Sequence, residues 1–291
     1  MVTNRVLHGD CLDALSAMPD ASVDLVYIDP PFNTGRAQRR ERLRTVQDEG
    51  GDRTGFGGRR YRTERVSRDA GFDDAFDDYL GFLEPRLREA RRVLAETGSL
   101  YLHVDYREVH YCKVLLDRIF GRDSFLNEII WAYDYGARTT RRWPAKHDNI
   151  LFYVKDPDRY HFDTSEVDRI PYMAPGLVGE EKAARGKLPT DTWWHTIVSP
   201  TGKEKLGYPT QKPLGVLRRI VRASCPPGGL VLDFFAGSGT AGAAALESGR
   251  RFLLVDSSEE AIAVMRRRFA GRDDVVFEQV DATPRRRSRA P

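Results

Sequence analysis

The chain has 291 residues, enough for one large core or for one domain that carries a sizeable insertion. Its 41% hydrophobic and 31% charged residues are typical of an ordinary soluble globular protein, and a formal net charge of +3 says little by itself about nucleic acid. No run of about 18 apolar residues occurs and the N-terminus, MVTNRVLHGD, lacks a signal-peptide core, so we expect a cytoplasmic protein. Cys11, Cys112 and Cys225 are far apart and odd in number, which excludes a disulfide framework and zinc-ligand spacing.

The first predicted elements lie in RVLHGDCLDALSAMPDASVDLVYIDPPF. The pattern predicts a strand that ends at Asp10 and a short helix over Leu12 to Met18. A second, apolar strand ends at Asp29, where Pro30 and Pro31 donate no backbone hydrogen bond and stop it. The result is a rigid rim with a carboxylate and an aromatic ring behind it. Taken alone, an Asp-Pro turn that merely terminates a strand explains the same residues.

Basic residues are concentrated in three segments. The Gly/Arg-rich segment 33–71 keeps almost no apolar periodicity, which predicts a long mobile loop. The segment 136–148, GARTTRRWPAKHD, mixes arginine with Trp143, and the basic tail 282–291 is expected to be disordered. Two basic segments that flank one site favour a surface that follows nucleic-acid phosphates, although each alone is also explained as a solvated arginine-rich surface.

Near the C-terminal end, the chain contains GGLVLDFFAGSGTAGAAALESGRRFLLVDSSEEAIAVMRRRF. Its pattern predicts a strand over 230–232 that ends at Asp233, then a glycine turn and a helix that begins near Thr240. A second strand, over 251–255, ends at Asp256 and leads into an amphipathic helix. Backbone N–H groups at a helix N-terminus favour an anionic ligand, and the second acid is placed to bind ribose hydroxyls.

Two kinds of cofactor compete for this βαβ unit. Gly237, Gly239 and Gly242 satisfy GxGxxG, which on its own weakly indicates NAD or FAD. A dinucleotide site needs no carboxylate before the turn, whereas Asp233 is placed to pair with an ammonium group, which S-adenosylmethionine offers. No Gly-Lys-Ser/Thr follows the turn, which excludes a P-loop. The pattern therefore favours S-adenosylmethionine.

The chain ends about fifty residues after the glycine turn, too few for the remaining strands of a doubly wound sheet. We therefore expect the N-terminal strands to complete that sheet. Ligands of such sheets bind beyond the carboxyl ends of the strands, so the strand-end acids should meet in one crevice. These acids are Asp10, Asp29, Asp233 and Asp256.

Three motifs resemble those of the permuted, beta-class DNA amino-methyltransferases, in which Asp-Pro-Pro-Phe/Tyr precedes the glycine motif. DPPFNTG resembles their catalytic motif, LDFFAGSGT their cofactor motif, and YPTQKPLGVLRRIV their third signature. Weaker similarities run through GSLYLHVDYREVH, NEIIWAYDYG and HDNILFYVKD and extend the resemblance over most of 1–270. It implies an α/β fold, namely a Rossmann-like S-adenosylmethionine-dependent methyltransferase sheet that is circularly permuted. It also implies one catalytic domain over 1–281, with a DNA-recognition insertion at about 155–207.

The resemblance implies a chemistry that suits the corner. The amino group of adenine or cytosine is a poor nucleophile because its lone pair is delocalised into the ring. Asp29 and the Pro30 carbonyl would each accept an amino hydrogen while the nitrogen attacks the sulfonium methyl, and Phe32 would stack on a base flipped out of the duplex. No metal is expected. The implied catalytic residues are Asp29, Pro30, Pro31 and Phe32.

The other implied site residues fall into two groups. Those expected to bind the cofactor are Asp10, Cys11, Thr210, Lys212, Asp233, Phe235, Gly237, Ser238, Gly239, Thr240 and Asp256, with Thr210 and Lys212 close to its carboxylate. Those expected to bind double-stranded DNA are Arg36, Arg39, Arg40, Arg138, Arg141, Arg142 and Lys146. Structural roles are expected for His147, His195, Trp193 and Trp194, with both tryptophans in the core.

Adenine N6 is the expected target, because Asp begins the catalytic motif more often in adenine enzymes and Ser in cytosine N4 enzymes. Cytosine N4 is the alternative. Methylation at carbon 5 needs a thiolate, but Cys225 is the only cysteine near prolines and no Pro-Cys order occurs. A catalytically silent DNA-binding subunit is disfavoured by the intact motifs, and enzymes acting on RNA or on protein glutamine normally carry the opposite motif order. A DNA partner implies association with the nucleoid, and the resemblance leaves open a homodimer and a cognate restriction enzyme.

Overall fold

The structure, a computed structural model, describes residues 4–33, 41–48, 50, 53–54, 60–68, 74, 76–134, 139–199 and 202–281. The chain forms two compact units, one of Met1–Phe32 with Asp78–Pro291 and one of Asn33–Asp77. Within the described ranges, no helix is long and apolar enough to cross a membrane.

A sheet forms the centre of the larger unit. Its strands are β1 (Asn4–His8), β2 (Val23–Ile28), β6 (Leu94–Asp105), β7 (Phe125–Ala132), β8 (His147–Val154), β9 (Thr192–Trp194), β10 (Leu230–Asp233), β11 (Arg251–Asp256) and β12 (Val275–Gln279). In the described part of the chain this sheet has nine strands, in the order β12-β1-β11-β10-β2-β6-β8-β7-β9. The strand β8 runs antiparallel to β6 and β7, and all other neighbouring pairs are parallel.

This order confirms the expected permutation. The glycine-motif strands β10 and β11 come from the C-terminal part of the chain, yet β10 pairs with β2 and β11 pairs with β1. From β10 the chain proceeds to β11 on one side, whereas from β2 it proceeds to β6 on the other. The boundary between β10 and β2 is therefore a topological switch point, where ligands of such sheets bind.

Seven helices are described in the larger unit: α1 (Cys11–Ser16), α2 (Tyr79–Val93), α3 (Val109–Phe120), α4 (Glu180–Arg185), α5 (Leu214–Ser224), α6 (Thr240–Glu247) and α7 (Glu259–Arg268). Short 3-10 helices span Arg122–Ser124 and Pro175–Leu177. The start of α7 is capped by Ser258, which accepts a hydrogen bond from Ala261 N at 3.3 Å. Acidic residues in its first turn and arginines in its last turn complement the helix dipole.

The helices cover both faces of the sheet. Leu25 and Tyr27 of β2 belong to a buried cluster with residues of α5, α6 and α7. On the opposite face, Tyr153 of β8 donates a hydrogen bond to Asp117 of α3 at 2.6 Å. Because the central strands are covered on both faces, their side chains are apolar almost without alternation, as in β2 and β8.

The smaller unit contains an antiparallel sheet of three described strands, β3 (Glu41–Gln47), β4 (Arg53–Thr54) and β5 (Arg60–Arg68), in the order β3-β5-β4. Asn33 Oδ1 accepts a hydrogen bond from Phe76 N at 2.9 Å, which brings the two ends of this unit together. The prediction that 33–71 is a loop is wrong for the residues of these strands. Backbone pairing needs no apolar face, and β-forming Thr, Val and Tyr residues are dispersed among the arginines of ERLRTVQ and RYRTERVSR.

The segment predicted as a recognition insertion, 155–207, is tied to the larger unit at several points. Asp163 N donates to Ala223 O at 2.8 Å, and Arg250 pairs with Glu166 at 2.7 Å. The strand β9 adds to the sheet beside β7. Between these anchors, Ile170 and Lys187 form a β-bridge that closes an excursion of the chain. The role of this segment in DNA recognition stays a prediction.

Candidate active site

The carboxyl ends of four adjacent strands bring the predicted acids to one edge of the sheet. Asp233 and Asp256 are the last residues of β10 and β11, and Asp29 follows β2 directly. The prediction that Asp10 ends a strand is wrong, since β1 stops at His8. Asp10 instead caps α1, where its carboxylate accepts hydrogen bonds from Leu12 N and Asp13 N. The acid remains at the same edge because α1 begins directly beyond β1.

Asp29 lies at the centre of the catalytic corner, with a side chain that is 15% exposed. Its Oδ2 is 2.7 Å from Nζ of Lys212. Its Oδ1 is buried and has no hydrogen-bond partner among the residues that the structure describes. The Lys212 ammonium also lies 4.6 Å from the centre of the Phe32 ring. The corner therefore presents one oriented carboxylate oxygen, ready to accept an N–H group beside an aromatic ring.

A buried histidine that the motif analysis missed lies behind this corner. His103 of β6 is 0% exposed, and its Nδ1 lies 2.8 Å from the Tyr27 hydroxyl and 4.0 Å from Asp29 Oδ1. Its Nε2 lies 3.2 Å from Asp148 Oδ2. The Tyr133 hydroxyl donates to the other oxygen of Asp148 at 3.0 Å. Histidine and aspartate do occur in the weakly similar stretches GSLYLHVDYREVH and HDNILFYVKD, but their pairing requires the antiparallel contact of β6 with β8.

The glycine turn between β10 and α6 is held in a backbone conformation that few other residues adopt. Gly237 and Gly239 have φ angles of +50° and +74°. A Cβ atom on Gly239 would lie 2.8 Å from Cγ of Met265, so the turn has no room for a side chain there. Gly237 N donates to Asp256 Oδ2 at 2.7 Å, and Phe235 N donates to Asp233 Oδ1 at 3.0 Å.

The acids around this turn favour a cationic ligand. Burial raises the pKa of Asp233 well above its usual value, and the charges of Asp29 and Asp256 raise it further. Burial likewise raises the pKa of Asp256. A sulfonium or ammonium group placed here would stabilise the ionised carboxylates, so the residues present fit S-adenosylmethionine. We call Asp29, Asp148, Asp233 and Asp256 the acid cluster.

Cys11 and Phe235 are connected through two residues that the sequence analysis did not select, Arg86 and Phe82. Arg86 of α2 donates from Nε to Cys11 Sγ at 3.2 Å, and its Nη2 lies 3.9 Å from Asp10 Oδ2. Its guanidinium lies 3.9 Å from the centre of the Phe82 ring, and that ring lies 6.0 Å from the Phe235 ring. Nothing in the helical pattern around Arg86 marks it, because α2 lies outside all three motifs.

The segment before α5 joins the corner to the glycine turn. Thr240 Oγ1 donates to the Lys212 carbonyl at 3.2 Å, and Ser238 Oγ lies 3.0 Å from Thr240 Oγ1. Thr210 is exposed. The ammonium of Lys212, expected near the cofactor carboxylate, lies on Asp29, so this residue contacts the catalytic corner with its side chain and the cofactor motif with its backbone. Cofactor contacts of Thr210 and Lys212 stay predictions.

The comparison with known families matches residues 23–267 to the model described as DNA methylase, the family of N6 and N4 amino-methyltransferases. The chain belongs to this DNA methylase family. Among curated proteins, it is 29% identical over 276 residues to the DNA adenine methyltransferase YhdJ of Escherichia coli. This alignment covers 90% of this chain and 81% of YhdJ. The chain is therefore an S-adenosylmethionine-dependent methyltransferase that acts on DNA.

Solved structures confirm the fold of the methylase. The complex of M1.HpyAVI with S-adenosylmethionine aligns with a TM-score of 0.58 at 19% identity, over 91% of this chain and 98% of that one. The cytosine-N4-specific PvuII DNA methyltransferase aligns with a TM-score of 0.62 at 17% identity, over 94% of this chain and 89% of that one. The α/β fold predicted from the sequence is confirmed.

A basic loop of the methylase connects β7 to β8 at the same edge of the sheet as Asp29. Of the predicted DNA-binding residues, Arg36, Arg39, Arg40 and Arg138 lie outside the described residues. In the described part of the loop, 139–146, Arg141 and Arg142 are exposed, and Trp143 is 94% exposed. Lys146 is half-buried, with its ammonium 5.9 Å from the centre of the Tyr133 ring. The loop leads into β8, whose second residue is Asp148 of the acid cluster.

Two predictions about aromatic and histidine residues have mixed outcomes. Trp193 is buried, as expected, and its indole N–H donates to Thr190 O at 2.7 Å. Trp194 is 78% exposed, so its predicted place in the core is wrong. Successive residues of the edge strand β9 point to opposite faces, and only one of those faces is covered. His195 packs against Gly215, consistent with a structural role.

The cysteines of the methylase do not suit carbon methylation. Cys225 follows α5 and precedes β10, which places it at the amino end of that strand, whereas Asp233 ends it. Burial raises its pKa to about 12, so the thiolate needed for attack on cytosine carbon 6 is disfavoured. Among the described residues, no cluster of His, Cys, Asp and Glu is arranged to hold a metal ion.

Proposed function

We propose that this methylase transfers a methyl group to N6 of adenine, in a base flipped out of double-stranded DNA. The observation that carries the proposal is Asp29, whose Oδ1 is buried without a partner while Lys212 holds Oδ2. A carboxylate oxygen left in this state has lost its hydration and gains most from a donor that the substrate brings. The amino group of a base is such a donor.

The target base is inferred from two further observations. Asp is the first residue of the catalytic motif DPPF, as is commoner among adenine enzymes of the family. The relative YhdJ is named as an adenine methyltransferase. Cytosine N4 is the second candidate, because Asp also occurs there and both amino groups present the same N–H donors to Asp29.

Each residue of the corner has a distinct part in the proposed reaction. Asp29 Oδ1 accepts one amino hydrogen and the Pro30 carbonyl accepts the other, which localises the lone pair on nitrogen. Phe32 stacks on the base, and Lys212 fixes the rotamer of Asp29 through the ion pair at 2.7 Å. Positioning and electrostatics supply the rate, so no covalent intermediate with the protein is needed.

The glycine turn and its acids form the proposed cofactor pocket. When bound, S-adenosylmethionine supplies an activated methyl group on a sulfonium centre. Asp233 would pair with its ammonium group and Asp256 with its ribose hydroxyls, since each carboxylate oxygen has a lone pair beyond the backbone bond it accepts. Asp10 and Cys11 contact Arg86, and Phe235 packs against Phe82 beside it; Asp10, Cys11 and Phe235 would receive the adenine end.

The basic loop is proposed to contact DNA phosphates. Arg141 and Arg142 are exposed in the loop that leads into β8, at the sheet edge where a duplex that presents a flipped base must pass. We infer that the segment 155–207 contributes to sequence recognition, by resemblance to the family. The resemblance leaves open a homodimer and a cognate restriction enzyme, and association with the nucleoid rests on the DNA partner alone.

Nucleoside mass spectrometry of unmethylated DNA after incubation with the protein and S-adenosylmethionine tests this proposal. N6-methyladenine is expected with the wild type and none with Asp29→Ala. Detection of N4-methylcytosine instead would mean that the same mechanism acts on cytosine, the second candidate base. Absence of any methylated amino group in DNA, with methylation of RNA instead or of neither, would contradict the proposal.

A further inference from the structure

His103 is buried in a polar network that adjoins the catalytic carboxylate. Its ring lies between Tyr27 and Asp148. The Tyr27 hydroxyl lies 2.8 Å from Nδ1, and Asp148 Oδ2 lies 3.2 Å from Nε2. The imidazole and the indole of Trp131 are nearly perpendicular, with ring centres 5.5 Å apart, and the Phe32 ring lies 5.7 Å from the imidazole. A fully buried histidine that only filled space would be replaceable by an apolar residue, whereas here both nitrogens are engaged.

The partners of His103 determine which nitrogen carries the proton. An ionised carboxylate only accepts hydrogen bonds, so Nε2–H donates to Asp148. Burial opposes ionisation of Asp148, but the hydrogen bond from His103, the charge of that ring when it is protonated and the charge of Lys212 keep the pKa of Asp148 below the usual value. Burial and the surrounding carboxylates raise the pKa of Tyr27, so its hydroxyl remains protonated and donates to Nδ1. The ring is then neutral, with the lone pair of Nδ1 on the side of Asp29.

The proposed reaction releases a proton at this place. When the amino nitrogen forms its bond to the methyl carbon, the carbon–sulfur bond breaks and its electron pair goes to sulfur. The nitrogen then carries one hydrogen too many, and Asp29 Oδ1, which accepts one amino hydrogen in the proposed reaction, takes it up as a proton. The other carboxylate oxygen is already bound to Lys212. A proton left on Asp29 would leave Lys212 without its counter-ion.

We propose that His103 is a positioning residue that takes up this proton from Asp29. Nδ1 lies 4.0 Å from Asp29 Oδ1, so a small shift brings the two atoms into hydrogen-bond distance. The Tyr27 hydroxyl rotates away from Nδ1, the proton moves from Oδ1 to Nδ1, and the imidazolium that forms is paired with Asp148. The proton passes to water after the product leaves. This inference rests on the proposed function and names the group that restores Asp29 for the next turnover.

The pH dependence of the reaction distinguishes this role from a structural one. His103 must be neutral to accept the proton, so the rate should fall as the pH is lowered and the ring becomes charged. The titratable and charged groups around it are Tyr27 and Asp29 at β2, Asp105 at the end of β6, Tyr133 after β7, Asp148 in β8, Asp233 in β10 and Lys212 before α5.

The test is single-turnover methyl transfer on DNA between pH of about 5 and 9, followed by nucleoside mass spectrometry. For the wild type we expect the rate to decline on the acid side. His103→Gln should be about 10- to 100-fold slower at neutral pH and lose that acid-side decline. Asp148→Asn should keep the decline but move it to lower pH, because the imidazolium loses its counter-ion. Tyr27→Phe, which removes a bond from the same network but leaves Nδ1, should keep the decline.

Binding of S-adenosylmethionine, measured by calorimetry, should remain within about 3-fold of the wild type in each variant and serves as the folding control. If His103→Gln does not bind the cofactor in this control, the shift of the acid-side decline in Asp148→Asn alone tests the inference. A wild-type rate without an acid-side decline, a His103→Gln variant that keeps it, or an unshifted decline in Asp148→Asn would overturn the inference. A wild type that methylates no DNA would instead overturn the proposed function.

Discussion

The acid cluster and the basic loop lie at the same edge of the sheet but are held in different ways. In the cluster, Asp233 accepts a backbone N–H, Asp148 accepts from His103 and Tyr133, and Asp29 pairs with Lys212. In the loop, Trp143 is 94% exposed and the adjacent arginines are exposed as well. The cluster is thus oriented before any ligand arrives, as chemistry requires, whereas the loop can adjust to DNA.

Among variants that leave the four acids in place, the largest effect is expected when a member of the cluster loses its partner. Lys212→Met keeps an unbranched side chain, one atom shorter, but leaves Asp29 Oδ2 without an ammonium. Breaking a buried ion pair costs about 3–5 kcal/mol and frees the carboxylate from its rotamer. We expect single-turnover methyl transfer to slow by about 10²-fold, with a lower Tm.

Lys155→Met is the matched control for this change. Lys155 is 13% exposed on its side chain and donates to Leu94 O at 2.6 Å, at the opposite edge of the sheet. It should lower Tm without slowing methyl transfer. A wild-type rate in Lys212→Met, or an equal loss of rate in both variants, would show that the ion pair does not position Asp29.

A smaller effect is expected for Asp233→Asn, which should stabilise the cofactor-free protein but weaken cofactor binding. The folded-state pKa of Asp233 is raised above its unfolded value, so ionisation destabilises the cofactor-free protein increasingly as pH rises from the unfolded pKa towards the folded one. The variant should therefore have a higher Tm than the wild type at neutral pH but bind S-adenosylmethionine about 10- to 100-fold more weakly.

Calorimetric binding and thermal unfolding of this variant across acid and neutral pH check both parts. The Tm advantage should vanish at low pH, where the wild-type carboxyl is neutral too. Unchanged cofactor affinity would refute the pairing of Asp233 with a cationic group.

Gly239 in the glycine turn can be compared with Gly249, which has a similar backbone conformation but lies outside that turn. Gly239 and Gly249 have φ angles of +74° and +68°, but only at Gly239 would a Cβ meet a neighbouring side chain, at 2.8 Å. Both alanine variants should lose about 1–2 kcal/mol of stability from the left-handed conformation. Only Gly239→Ala should also weaken cofactor binding, by about 10-fold, since the turn has to shift. Equal affinities in a titration of both variants would argue against the turn as the cofactor site.

The smallest effects are expected in the basic loop. Arg141→Ala and Arg142→Ala should each weaken DNA binding a few-fold and lower the slope of log Kd against log salt by about 1. Their Tm should not change, because neither arginine is buried. Arg272→Ala, which removes an exposed arginine at the opposite edge of the sheet, is the control. Equal salt slopes for all three variants and the wild type would place the DNA elsewhere.

Much of the site could be predicted because its residues follow strands and turns directly in sequence. Asp29, Asp233 and Asp256 each come at the end of an apolar run, and parallel strands bring their carboxyl ends to one edge. The same local signal explains why the permuted order was recognised.

The parts that were missed depend on contacts between distant residues. His103 is 76 residues from Tyr27 and 45 from Asp148, and no local pattern in β6 or β8 indicates that they meet. The three-stranded sheet in the smaller unit was missed because arginine-rich strands lack the apolar alternation on which strand prediction rests. Trp194 was misplaced because a sequence does not show that β9 lies at an edge.

The most direct measurement of the central claim is the rate of methyl transfer in a single turnover for Asp29→Ala and Asp29→Asn, with S-adenosylmethionine affinity measured alongside. We predict that both variants bind the cofactor within about 3-fold of the wild type and transfer the methyl group at least about 10³-fold more slowly. Transfer to the amino group of a DNA base at the wild-type rate in either variant would contradict the role of this carboxylate.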